Sequence, residues 1–122
     1  MPTYMDFGRQ GQVLAKLKGL SLEGRKQATV RVQYGAPYAV YVHENLQANH
    51  PNGGQAKFLE DPARRLRFQM RLIVIKAVQQ KKGLLNGLQQ AGELLLEESR
   101  KLVPVKTGRL RRSGRVLIKE GE

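Results

Sequence analysis

The chain has 122 residues, which suits one domain with a modest hydrophobic core. Its 22 lysines and arginines outnumber 10 acidic residues, and the net charge of +12 points to an anionic partner: nucleic acid, an acidic membrane surface or acidic faces of other proteins. The absence of cysteine excludes disulfides and thiolate metal sites, and no apolar stretch is long enough to span a bilayer. Because the N-terminus also lacks an apolar run, we expect a soluble protein of the cytoplasm.

Residues 1–27 are the least regular part of the sequence, because recurring glycines interrupt every pattern there. Residues 12–18 fit a short helix or an edge strand. We therefore treat residues 1–27 as a poorly defined N-terminal segment. The regular elements are expected in residues 28–122, within one overall domain.

Two strands are predicted next. In residues 28–34, small and branched apolar residues alternate with polar ones, which gives one buried and one polar face. Residues 35–37 are a turn signal, and residues 38–43 are rich in β-branched and aromatic residues, so the two strands are expected to form a hairpin. Residues 45–55 contain Asn, Pro and Gly and predict a long loop.

A helix is predicted to start at Asp61 and Pro62, with Asp61 as N-cap and Pro62 as the first helical residue. Its apolar face is predicted to comprise Ala63, Leu66, Met70, Ile73, Val74 and Ala77. Phe68, Leu72 and Ile75 lie off that face, so we expect this helix to bury a second face, against another subunit.

A second helix is predicted over residues 84–101, ended by Pro104. Its apolar stripe is predicted to comprise Leu84, Leu88, Ala91, Leu95 and Leu102. Glu93, Glu97 and Glu98 form an acidic patch on it, and Glu97 and Lys101 have the spacing of a helical ion pair. Residues 115–119 predict a final strand. Together the elements predict an α+β fold, a single domain in which a small antiparallel β-sheet packs with two long α-helices.

Basic residues concentrate in two runs without acids. Seven lie from Arg64 to Lys82, and eight lie from Arg100 to Lys119. The second run crosses a hinge between the second helix and the last strand, and its candidates for contact with DNA or a partner are Lys106, Arg109, Arg111, Arg112 and Arg115. Contact with DNA phosphates would give salt-dependent, sequence-independent affinity; a solvated face or salt bridges to acidic subunits are the alternatives.

His43, Glu44 and His50 are the residues that could hold a metal or serve a metal-dependent nuclease. Their spacing matches neither the helical motif of zinc proteases nor a common zinc finger. There is also no phosphate-binding glycine loop and no serine in a nucleophile elbow. We therefore expect no enzyme activity, no cofactor and no metal, with His43 and Glu44 as the polar end of a strand.

Three short motifs carry a resemblance to a known family. Residues 104–113 read Pro-Val-Lys-Thr-Gly-Arg-Leu-Arg-Arg-Ser, similar to Pro-Val-Asp-Thr-Gly-x-Leu-Arg-x-Ser. Residues 38–44 read Tyr-Ala-Val-Tyr-Val-His-Glu, similar to Tyr-Ala-x-Tyr-Val-Glu, and residues 57–63 read Lys-Phe-Leu-Glu-Asp-Pro-Ala, similar to Pro-Phe-Leu-x-Pro-Ala. Together they resemble the tail-component family of siphophages, of the neck or tail-completion type. The motif order differs from that family and resembles a circular permutation, and Lys106 replaces the family's Asp.

The resemblance implies a bacteriophage virion structural protein of the head–tail junction. Such a subunit would be made in the host cytoplasm, form a homo-oligomeric ring that joins head and tail, and contact portal, neck and tail proteins. The residues expected at its inter-subunit contacts are Tyr38, Tyr41, His43, Glu44, Asn49, His50 and Phe58. The alternative, suggested by the charge of +12, is a basic DNA-binding minor capsid protein.

Overall fold

A four-stranded antiparallel sheet forms one layer of the molecule. The computed structural model describes residues 3–7, 13–20, 27–46, 54–104 and 108–120. The strands within these ranges are β1 (Thr3–Phe7), β2 (Val13–Leu20), β3 (Gln27–Tyr34) and β4 (Gly114–Glu120). They pair in the order β1-β2-β3-β4, so the last strand of the chain closes onto the third.

β3 is an interior strand whose alternating pattern produces the buried face that the sequence predicts. Val30 and Val32 are buried, and they lie opposite Ile118 and Val116 of β4 in the register. Since paired residues of neighbouring strands share a face, these four side chains form one apolar surface on the sheet. The predicted strands at residues 28–34 and 115–119 are therefore confirmed.

Five helices in the described part of the chain accompany the sheet. They are α1 (Ala39–Glu44), α2 (Glu60–Arg65), α3 (Arg67–Gln79), α4 (Leu84–Arg100) and α5 (Arg109–Arg112). α4 packs against β3 and β4, and α3 packs against α4. The predicted α+β class, an antiparallel sheet packed with two long helices in one small domain, is confirmed. None of these helices is long and apolar enough to cross a bilayer.

Two glycines let α4 approach its neighbours closely. A Cβ atom at Gly92 would lie 2.8 Å from Val30 Cγ2 and 2.9 Å from Val116 Cγ1. At Gly87 it would lie 2.9 Å from the Cα of Val74 on α3. The glycines that weaken α4 as an isolated helix therefore allow it to sit between the sheet and α3.

The predicted strand at residues 38–43 is wrong, because these residues form α1. The amide of Ala39 donates to the carbonyl of Ala36 at 3.0 Å, so the turn runs directly into helical bonding. The predicted hairpin would also need a free edge on β3, but β2 and β4 occupy both edges. The composition of residues 38–43 favours a strand, but the pairing of β3 with β2 and β4 leaves no edge for that strand to join.

The N-terminal segment also differs from its prediction. β1 and β2 lie within residues 1–27, and β2 pairs with both β1 and β3. Residues 13–20 are thus an interior strand, neither a helix nor an edge strand. In this way the segment extends the sheet on which the helices pack.

The helical predictions hold in most respects. α4 matches the predicted helix at residues 84–101 to within one residue, and the predicted apolar face around Met70 and Val74 is buried. The start at Asp61 is wrong: α2 begins at Glu60, and no side chain caps it. The first helix is also divided at Leu66, which ends α2 and precedes α3.

One predicted ion pair is replaced by another. Lys101 pairs with Glu98, with 2.5 Å between Nζ and Oε2, in place of the predicted pair with Glu97. The hydrogen bond from Lys101 lowers the pKa of Glu98, and the Glu98 carboxylate raises the pKa of Lys101. Both side chains are solvent-accessible, so the pair contributes little to stability. Glu97 is left exposed on α4.

Candidate functional site

Two of the three motifs meet in the core around the buried ring of His43. His43 on α1 and Phe58, which lies just before α2, have no exposed surface. Their rings contact edge to face, with centroids 4.9 Å apart and an interplanar angle of 81°. The backbone amide of Lys57 donates to the carbonyl of His43 at 2.7 Å, which fixes the two segments together. We call His43, Glu44, Lys57, Phe58 and Glu60 the His43 cluster.

Both ring nitrogens of His43 have partners within this cluster. Nε2 accepts a hydrogen bond from the backbone amide of Glu60 at 3.2 Å, and Nδ1 donates to the carboxylate of Glu44. Burial lowers the pKa of His43, against the opposing effect of the Glu44 carboxylate. The neutral ring therefore holds two segments together. Its nitrogens are engaged in that role, which leaves neither placed to bind a metal or take a proton from a substrate.

Glu44 and Lys57 close the solvent side of the cluster. Their Oε1 and Nζ atoms are 2.5 Å apart, and Nζ also lies 3.8 Å from Glu60. The bond to Glu44 raises the pKa of Lys57. Partial burial tends to raise the pKa of Glu44, but hydrogen bonds from Lys57 and His43 outweigh it and lower that pKa. The charges of the His43 cluster are thus largely neutralised inside one subunit.

A chain of hydrogen bonds extends the cluster to the sheet and to α4, and sequence reasoning missed it. The hydroxyl of Ser99 donates to the carbonyl of Phe58 at 2.7 Å and lies 2.9 Å from the hydroxyl of Tyr34. Tyr34 also packs edge-on against Phe58, with centroids 5.1 Å apart. Burial raises the pKa of Tyr34 to about 12, so it stays protonated. A serine on the buried side of α4 is the sequence signal of this network.

The residues predicted to contact other subunits separate into two groups. His43 and Phe58 lie inside the subunit's own core, where a partner cannot reach them. Tyr38 and Tyr41 are exposed on and beside α1, and Glu44 is partly exposed in its ion pair. Asn49 and His50 lie outside the described residues.

Within its described residues, the predicted basic hinge contains a short helix. Gly108 takes the left-handed conformation, with φ at 82°, and α5 follows immediately. Arg109 lies over the ring of Tyr38, with Cζ 5.7 Å from its centroid, whereas Arg111 and Arg112 are exposed.

Arg115, the last of the five basic candidates that can be placed, lies on β4. Its Nε and Nη2 atoms each lie 3.1 Å from the amide oxygen of Gln33 on β3. It thus belongs to the surface of the sheet, on a different element from the arginines of α5. Lys106 lies outside the described residues.

α3 carries an apolar surface that its own subunit leaves uncovered. Phe68 is 65% exposed, Leu72 is 60% exposed and Ile75 is 39% exposed. Their spacing places them along one side of α3, opposite the side that packs on α4. We call these three residues the α3 apolar stripe. Arg67 lies against it, with Cζ 5.2 Å from the centroid of the Phe68 ring, and Arg71 is exposed one turn further along.

The described residues contain no group of three His, Asp or Glu side chains arranged to hold a metal ion. The described surface also carries an apolar stripe with cations beside it on α3, and exposed arginines on α5.

Comparison with known proteins assigns no family. No family model matches the chain, and no match was found among curated proteins or solved structures.

Proposed function

We propose that this protein is a virion structural protein of the head–tail junction of a tailed bacteriophage, and that it acts by assembling into a ring that joins head and tail. Its partners would be portal, neck and tail proteins, and its location the neck region of the particle. It would act by contact, without catalysis.

The α3 apolar stripe is the observation that carries the assembly part of this proposal. A helix with apolar residues on two opposite sides usually buries both. Here the side with Met70 and Val74 is buried on α4, while Phe68 and Leu72 project into solvent. Exposed apolar surface of this kind marks an interaction site. Small subunits with such surfaces commonly close into symmetric oligomers.

The phage part of the proposal rests on the three motifs that resemble siphophage tail components. The structure adds a physical reason for two of them to occur together, since residues 38–44 and 57–63 meet at the contact of His43 with Phe58. The described residues of the third motif include α5, which lies between α4 and β4 in the sequence. The three motifs thus belong to one folded subunit, which is what a shared family origin requires.

The test is the assembly state of the purified chain, followed by its presence in particles. Light scattering after size exclusion and negative-stain electron microscopy should reveal ring-shaped oligomers. Leu72→Ser should abolish assembly, whereas the matched change Leu117→Ser should not, because Leu117 is also exposed but lies on β4. A wild-type chain that stays monomeric and is missing from purified particles would overturn the proposal.

A basic DNA-binding minor capsid protein is the second candidate, and the exposed arginines of α5 favour it. The part of the chain that the structure describes places no acidic group in an ion pair with Arg111 or Arg112. Binding to random duplex DNA across a salt series tests this reading. Tight binding by single subunits would favour it, and so would a shallower salt dependence in Arg111→Ala/Arg112→Ala, by roughly one unit of slope for each arginine that touches a phosphate. Ring formation with weak DNA binding would favour the head–tail junction.

A further inference from the structure

We propose that neighbouring copies of this chain bind head to tail, with the α3 apolar stripe and Arg67 and Arg71 of one copy against Glu93 and Glu97 on α4 of the next. The inference rests on the proposed ring and names the surfaces that would build it. Glu93 and Glu97 are called the α4 acidic pair.

The charge around the α3 apolar stripe favours a partner that is both apolar and acidic. Arg67, Arg71 and Lys76 are all exposed on α3, and α3 contains no acidic residue. Within the described ranges, none of these three cations takes part in an ion pair. An occupant of this surface must therefore tolerate apolar contact and supply negative charge. Duplex DNA supplies the charge, but its phosphate backbone offers nothing apolar to Leu72.

The same cations exclude a symmetric contact of the α3 surface with itself. In a two-fold dimer the same patch meets its own copy, so the cations of one α3 would lie near those of the other, with no carboxylate on α3 between them. Like charges placed together in an interface disfavour that arrangement strongly. A second copy must therefore present a different surface to α3.

A complementary surface lies on α4 of the same chain. Glu93 and Glu97 are exposed and one helical turn apart, on the side of α4 that faces neither the sheet nor α3. In the structure as described, neither carboxylate is in an ion pair, although Glu93 accepts a hydrogen bond from Gln89 at 2.5 Å. Arg67 and Arg71 have the same spacing, so two ion pairs can form between two helices.

These two surfaces lie on different helices of one subunit, so each copy can use both at once. A contact between unlike surfaces repeats from copy to copy and gives a ring when the rotation closes. Leu94, partly buried beside the α4 acidic pair, adds apolar area for the stripe to contact. In this arrangement the α4 acidic pair, which has no ion pair within the described part of its own subunit, binds the arginines of the next copy.

Charge reversal tests the pairing, with oligomer size measured by sedimentation velocity. Arg67→Glu/Arg71→Glu and Glu93→Arg/Glu97→Arg should each weaken assembly about tenfold or more. Combining all four changes should restore assembly, and so should mixing the two double variants, since each surface then meets its opposite charge. The control Lys81→Glu/Lys82→Glu makes the same charge change beyond the end of α3 and should leave assembly intact.

The outcomes separate this inference from the proposed ring. If the wild-type chain does not assemble, both fail. If it assembles but the quadruple variant and the mixture stay dissociated, or if neither double variant has an effect, the pairing is wrong and the ring is built on another contact.

Disulfide crosslinking replaces charge reversal if a charge-reversed variant loses its helical circular dichroism and is therefore unfolded. Gln90 is exposed on α4 three residues before Glu93, and it lies near Leu72 of the next copy when the two helices run antiparallel, with Arg71 against Glu93 and Arg67 against Glu97. Because the chain lacks cysteine, Leu72→Cys/Gln90→Cys should then give a ladder of disulfide-linked copies, whereas Leu117→Cys/Gln90→Cys should not. The absence of a ladder would overturn the pairing.

Discussion

The His43 cluster and the outer side of α3 are opposites within one small subunit. In the cluster, the His43 ring and Phe58 are buried, and the polar groups around them have partners in the same chain. On α3, Phe68 and Leu72 are in solvent beside arginines that the described residues do not neutralise. The first region stabilises the subunit and the second is available to another molecule. Two of the three motifs therefore lie in the subunit core, and the exposed side of α3 follows them in the sequence.

The largest expected effect comes from breaking the cluster at Phe58. Phe58→Ala removes a fully buried ring that packs against Tyr34 and His43, and should cost about 3–5 kcal/mol of unfolding free energy. Chemical denaturation measures it. The matched change Phe68→Ala removes the same atoms from an exposed ring and should cost less than about 1 kcal/mol. Equal losses of unfolding free energy at the two positions would contradict the distinction between a buried Phe58 and an exposed Phe68.

A smaller loss is expected from Ser99→Ala, which removes only one oxygen atom. It leaves the carbonyl of Phe58 and the hydroxyl of Tyr34 without their buried partner, at a cost of about 1–3 kcal/mol. Thermal and urea unfolding measure the change. Stability unchanged in Ser99→Ala would mean that the network contributes little.

Acid should weaken the His43 cluster before it affects the carboxylates. Burial lowers the pKa of His43 in the folded state, so the unfolded chain binds more protons as the pH falls below the ordinary value of 6.5. Stability should therefore be fully present above that value and decline as the pH falls below it, through the lowered pKa of the folded state. Glu44 has a lowered pKa and contributes its own loss only below its ordinary value of 4.5.

The control for this pH dependence is His43→Gln, measured by urea unfolding at each pH. Glutamine offers an oxygen to the amide of Glu60 but does not titrate, so the slope of stability against pH should flatten below the ordinary histidine value of 6.5. His50 is present in both proteins, so a difference between their slopes reports on the substitution at position 43. An unaltered slope would assign the effect to groups other than His43.

The smallest effect on stability, and the largest on assembly, is expected at Leu72. Leu72→Ser changes a side chain that is 60% exposed, so the unfolding free energy should change by less than about 0.5 kcal/mol. Oligomer formation, measured by light scattering, should be lost. If Leu72→Ser instead lost stability and still formed the oligomer, the outer side of α3 would be packed within the subunit.

Local patterns predicted the elements whose periodicity matches their final burial. The alternation in residues 28–34 and the helical spacing in residues 84–101 correspond to β3 and α4, because each element buries one regular face. Residues 38–43 have the composition of a strand and form α1, since β3 has no edge left to pair with. That outcome depends on β4, from the far end of the sequence, which no local pattern reveals.

The site was predictable to a similar degree. The apolar residues off the main face of the first helix indicated an outer contact surface, and Phe68, Leu72 and Ile75 are exposed there. The contact of His43 with Phe58 was not predictable, because the two residues are distant in the sequence and the pattern around His43 predicts a strand. Neither was the role of Ser99, which periodicity treats as one more position on a helix.

The subunit is expected to fold through its own cluster and to assemble through the outer side of α3. Sedimentation velocity of the wild-type chain beside Leu72→Ser, at equal concentration and moderate salt, tests this division most directly. We predict a closed oligomer for the wild type and a folded monomer for the variant. A wild-type monomer at every concentration, or the same oligomer for both proteins, would contradict it.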